Sequence, residues 1–191
     1  MLGVENMEAK NERLENTTKT LKKIAFALIG LFIIGIIVLI ALEMSYKSKF
    51  SRDKLNLDQF IVFTFTDELG KTNTGKDRVT YLDNIDNIKR IFLRIDENFT
   101  NEWMVNGAIR NTIQVMNKLT KDEEFLNMPQ DGISVQWVIP TIDAYGNEGE
   151  DVGVIITIMK EDFQKIQWDT VTTDGIKKVA YTFWVSDLLK E

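Results

Sequence analysis

Residues 24–42 read IAFALIGLFIIGIIVLIAL, nineteen positions with no charge and no strongly polar side chain. At about 1.5 Å of rise per residue, a helix of that length measures about 28 Å, close to the hydrocarbon thickness of a bilayer. A backbone in lipid must satisfy its own hydrogen bonds, so the run predicts a single transmembrane helix. A cleaved signal sequence fits less well. Its apolar region is typically about 7–15 residues and ends at a small-residue site, and Glu43-Met44-Ser45-Tyr46 is not such a site. The chain then divides into a short tail (1–23), the membrane helix (24–42), a juxtamembrane linker (43–58) and an extracytoplasmic α+β domain (59–191).

The charges at the two ends of the apolar run suggest an orientation. Lys10, Arg13, Lys19, Lys22 and Lys23 precede it, with Lys22-Lys23 at the boundary. Glu43 closes the other end, followed by Lys47, Lys49, Arg52 and Lys54. The positive-inside rule then sets the tail in the cytoplasm of a single-pass cell-membrane protein. Tyr46 and Phe50 among the basic residues of the linker suit interfacial anchoring.

The net charge of −6 lies wholly beyond residue 43, because the first 43 residues hold five acidic and five basic groups. An acidic domain lacks the clustered basic face that nucleic acid needs. The chain has no cysteine and no histidine. That removes disulfides, the usual zinc sites and the Ser-His and Cys-His nucleophile systems. Carboxylate, lysine or tyrosine chemistry remains. An apolar fraction of 44% with eleven Phe and four Trp is that of a folded chain.

Met7, Leu14 and Leu21 recur at seven-residue spacing, too short a repeat for a coiled coil. Residues 59–66, QFIVFTFT, alternate and predict a strand. Gly70-Lys71-Thr72 lacks the earlier glycine of a phosphate-binding loop. A short strand is expected over 78–82. Ile85, Ile88, Phe92, Ile95 and Phe99 recur three and four apart and predict a helix, with a break near 98–101. A second helix carries Met104, Ala108, Ile109, Ile113, Met116 and Leu119, and Thr120-x-x-Glu123 opens a third, short one. From Gly132 the period becomes two. Strands are expected over 132–139, 152–159, 164–171 and 176–185, with Thr173-Asp174-Gly175 as a hairpin turn. The sum is an α+β domain of packed helices followed by a curved antiparallel sheet.

Three acidic clusters and one set of tryptophans are candidates for chemistry. Asp143, Glu148, Glu150 and Asp151 lack the register of a calcium loop and read as a solvated hairpin tip. Asp122, Glu123 and Glu124 complement the dipole at a helix start. Asp96, Glu97 and Glu102 could serve as acid and base only if they converged in a cleft. Trp137, Trp168 and Trp184 are expected on three strands, as core or as an aromatic platform. Asn98-Phe99-Thr100 is a formal glycosylation sequon without a supporting context. No catalytic residue, cofactor ligand or metal ligand is assigned.

The order and length of elements resembles the bitopic assembly components of bacterial type IV secretion and conjugation machines. The nearest local likenesses are QFIVFTFTDELGK, the block 81–127 and KKVAYTFWVSDLL. The resemblance implies a nuclear-transport-factor-two-like extracytoplasmic domain with helices first and a curved antiparallel sheet after. The closing strand also resembles the end of flagellar stator-associated membrane proteins. The expected function is a non-enzymatic, membrane-anchored scaffold of an envelope-spanning machine. Its expected partners are the bilayer, other copies of itself and other membrane-complex proteins, with no cofactor. The alternative is a membrane-tethered ligand-binding module with a pocket in the sheet, lined by tryptophan.

Overall fold

The computed structural model describes residues 28–42, 51–73, 75–96 and 100–190. They fall into two units, Met1–Lys54 and Leu55–Glu191. In the first, helix α1 covers 28–42 and leaves its large apolar side chains exposed, Leu31 and Phe32 among them. Among the described residues no helix is long and apolar enough to cross a membrane. This overturns the transmembrane helix expected over 24–42. The tail 1–23, residues 24–27 and the linker positions 43–50 lie outside the described residues.

The second unit begins with helix α2 (Leu57–Leu69), where the alternation of QFIVFTFT predicts a strand. A capping box decides the matter locally. The Asn56 side chain accepts from Gln59 N at 2.9 Å, and the Gln59 side chain accepts from Asn56 N at 3.1 Å. Ile61, Thr64 and Phe65, spaced three and four apart, are the buried positions. The Thr64 hydroxyl donates to Phe60 O one turn back, which suits a β-branched residue in a helix.

The expected helix over 85–99 is also absent. Strands β3 (Val79–Ile85) and β4 (Ile88–Arg94) form a hairpin, preceded by a small ribbon of β1 (Thr72–Asn73) and β2 (Lys76–Asp77). Asp86 and Asn87 both take positive φ, 50° and 60°, as a two-residue turn of this hand requires. In β4 every second residue is buried, Lys89, Ile91 and Leu93. A set of isoleucines and phenylalanines three and four apart masked that alternation.

Helix α3 (Asn101–Leu119) and the four-residue α4 (Glu123–Leu126) then carry the chain to β5 (Gly132–Ile142). Thr100 caps α3, its hydroxyl accepting from Trp103 N at 3.2 Å. Asp122 caps α4 rather than Thr120, whose hydroxyl bonds back to Met116 O. Because the crossover from β4 to β5 runs through helices, those two strands pair parallel. The sheet, ordered β3-β4-β5-β6-β7, is therefore mixed, which corrects the antiparallel sheet expected from the sequence. It also departs from the helices-first order that the resemblance implies, since β3 and β4 precede α3.

Strand β6 (Glu148–Met159) returns antiparallel to β5. Residues 164–171 form turns, not a strand. Thr173-Asp174-Gly175 opens helix α5 (Thr173–Val179) instead of a hairpin, because the Thr172 hydroxyl accepts from Gly175 N. Only Thr182–Val185 of the expected last strand pairs, as β7.

One face of the sheet, here the inner face, holds the core. Ile91, Leu93, Ile133, Val135, Trp137, Val154, Ile156 and Ile158 cluster there with Ile61 and Phe65 of α2 and Ile109, Val115 and Met116 of α3. At one end of the sheet Phe125 and Phe163 stack with centroids 5.0 Å apart.

Glu68 links α2 to α3. Gln114 Nε2 donates to it at 2.9 Å, and the Lys118 ammonium bonds its other oxygen. Burial pushes the Glu68 carboxyl up, but the bonds from Lys118 and Gln114 outweigh it and hold the group below its ordinary 4.5. The folded pKa is depressed, so the contribution to stability is complete above pH 4.5 and lost as pH falls through the folded value. In denaturant titrations across that range, Glu68→Gln is expected to flatten the acid limb of the stability profile. An unchanged acid limb would show that the clasp contributes nothing.

Candidate interaction surface

Side chains alternate across each strand, so the register places a second set of residues on the opposite, outer face. One cross-strand row reads Tyr81, Phe92, Gln136, Ile155, Trp184; the next reads Asp83, Arg90, Ser134, Thr157, Thr182. Tyr81, Phe92, Ile155 and Trp184 stand outside the core cluster, with Tyr81 58% and Trp184 42% exposed.

The outer face is ordered by its own contacts. Arg90 grips Asp83 through two bonds, of 2.8 and 2.5 Å, and its guanidinium lies 5.3 Å from the Phe92 ring centre. Hydrogen bonding from Arg90 holds the Asp83 carboxyl below its usual range, and Asp83 in turn raises Arg90. Arg94 Nε reaches Glu150 at 2.7 Å. In the centre, the Thr157 hydroxyl donates to Ser134 Oγ at 3.0 Å. The result is a face with Tyr81 and Trp184 exposed on its edge strands, Ser134, Gln136 and Thr157 buried at its centre, and two ion pairs across it.

The carboxylates singled out in the sequence do not converge. Asp96 accepts from Arg78 Nη1 at 2.7 Å and Asn111 Nδ2 at 3.0 Å, in a junction where Arg78 also donates to Leu69 O. Glu102 lies on α3 beside a shallow groove, and Glu97 lies outside the described residues, as do Asn98 and Phe99 of the sequon. Asp143 organises the β5–β6 turn, accepting from Asn147 Nδ2 and from the backbone of Asn147 and Tyr145. Those bonds, the Asn147 side chain foremost, keep its carboxyl below the usual range. Glu148, Glu150 and Asp151 spread along β6 instead of closing on a point. Among the described residues, no three acidic side chains are placed to hold a metal ion. A groove of about 810 Å³ beside α4 is edged by Glu123, Asp131 and Glu161, with Lys160 among them bonded to Met128 O.

The three tryptophans do not form a platform. Trp137 is fully buried on the inner face, its indole N–H donating to Thr112 Oγ1 at 3.0 Å. Trp168 is not on a strand, and its N–H donates to Phe163 O at 2.7 Å. Trp184 faces outward on β7. The outer row is hidden in the sequence because the apolar spacing over 85–99 imitates a helix. The signal was Asp86-Asn87 between two alternating runs. Comparison of the chain with protein-family models, with known proteins and with solved structures finds no match.

Proposed function

We propose that this chain is a non-enzymatic scaffold that works by protein–protein contact, with itself and with other proteins, at a membrane. The outer sheet face carries the reading: it leaves Tyr81 and Trp184 exposed on its two edge strands while Arg90 and Arg94 are already paired with Asp83 and Glu150. Asp96, Asp122 and Asp143 are engaged in an ion pair, a helix cap and a turn. Association with lipid is supported by the apolar run 24–42 and by the exposure of its side chains over 28–42. Membership of a secretion or conjugation machine rests on the order and length of elements alone.

The test is native co-purification of the tagged full-length chain from its own membranes in mild detergent. The expected result is recovery in the membrane fraction as an oligomer with defined accompanying proteins. Recovery as a partnerless monomer overturns the reading.

A further inference from the structure

The two edges of the sheet are unequal. Strand β3 carries a register shift between Val79 and Tyr81 and an ion-paired Asp83, devices that discourage an edge from pairing further. Strand β7 reads Thr182-Phe183-Trp184-Val185, without charge or proline, and no described strand lies beyond it. Exposed apolar residues gather along it: Val179 (43%), Tyr181 (73%), Trp184 (42%) and Leu188 (60%).

The direction of its free backbone groups follows from the register. Trp184 pairs with Ile155, and Ser186 N donates to Gly153 O at 2.8 Å. Even-numbered residues therefore bond inward to β6, and Tyr181, Phe183 and Val185 turn their N–H and C=O groups to the open edge.

We propose that β7 pairs antiparallel with β7 of a second copy about a two-fold axis at Phe183, joining two five-stranded sheets into one. This deepens, and rests on, the self-association in the proposed function. Matching faces and outward backbone groups require odd residues opposite odd residues. An axis at Phe183 sets Phe183 against itself and Tyr181 against Val185, so all three outward residues bond. An axis at Trp184 would set Tyr181 against Asp187, which lies in a 3-10 turn and cannot join the ladder.

The same register makes the edge complementary to itself. A groove of about 510 Å³ lies beside β7, lined by Val105, Phe183 and Val185 and also by Glu102, Lys177 and Lys190. By alternation the Tyr181 side chain shares the inner face with Phe183. Opposite Val185, the Tyr181 of the second copy enters this groove, and the axis repeats the contact.

Because the chain has no cysteine, a single introduced thiol reports the axis. Directly opposed, hydrogen-bonded residues of antiparallel strands lie about 5.5 Å apart at Cα, within disulfide range. Full-length Phe183→Cys in mild detergent, under mild oxidation, is expected to give a covalent dimer. Its yield should exceed that of Tyr81→Cys, on the other edge, by at least about tenfold. Phe183 is half-buried, so a mixture of Tyr181→Cys and Val185→Cys chains provides a second readout and is expected to cross-link too. Self-association in sedimentation without these cross-links overturns the edge pairing and leaves the scaffold reading standing. A monomer that still co-purifies with other proteins does the same. A monomer without companions overturns both.

Discussion

Trp137→Ala is expected to lower the stability of the folded unit by about 3–5 kcal/mol, whereas Trp184→Ala should cost about 1 kcal/mol or less. Both residues sit on strands of one sheet and both were candidates for an aromatic platform. Trp137 lies on the inner face with no exposed surface. Its ring packs among Leu93, Val154 and the helices, and its N–H bonds to Thr112, whose hydroxyl donates in turn to Ala108 O at 2.8 Å. Alanine there leaves a cavity in the middle of the sheet and removes the bond that ties β5 to α3. Trp184 is 42% exposed, so alanine there removes contacts with its cross-strand neighbour Ile155 but leaves no enclosed cavity. Urea titrations followed by far-UV circular dichroism on the monomeric protein would separate the two. Equal costs would mean that Trp137 is reachable by solvent or ligand, and would revive a pocket in the sheet.

The sequence revealed elements whose signals were redundant. Helix α3 has a cap at Thr100 and an apolar stripe from Met104 to Leu119 that agree with each other. Strands β5 and β6 alternate over more residues than a turn of helix can imitate. Where two signals competed, periodicity alone misled. QFIVFTFT alternates like a strand, yet Asn56 and Gln59 cap it as a helix, and the capping pair is the stronger local constraint. The segment from Ile85 to Ile95 carries apolar residues at both periods, so only the Asp86-Asn87 turn could decide. The antiparallel expectation for β4 and β5 has the same origin, since a hairpin before α3 turns α3 into a crossover and makes the two strands parallel. The outer aromatic row was illegible for the same reason, because its members meet only through the register of four strands. Gln164–Val171 failed differently: the apolar Ile166, Trp168 and Val171 pack against the core from turns.

Lys89→Met is expected to leave stability within about 1 kcal/mol of the parent, or to raise it, whereas Asp58→Ala should cost about 3 kcal/mol. Lys89 alternates with Ile91 and Leu93 on the inner face of β4 and is 2% exposed. Its ammonium reaches Asp58 Oδ1 at 2.5 Å, at the first turn of α2. The two ends of this pair stand in different surroundings, the lysine side chain 3% exposed and the aspartate 51%. Removing the lysine leaves a carboxylate that water and the positive end of a helix still solvate. Methionine fills the same stem volume without a charge to desolvate. Removing the aspartate strands an ammonium in the core, where an unpaired charge is expensive. The cost falls at the low end of the ~3–5 kcal/mol seen for broken buried pairs, because water can enter beside residue 58. The double variant Asp58→Ala/Lys89→Met should recover most of that loss, which a role for Asp58 as a helix-start acid alone would not allow. Chemical denaturation of the four proteins measures the coupling directly. Comparable costs for the two single variants would show that the lysine end is solvated, and that the pair does not steer how α2 docks on the sheet.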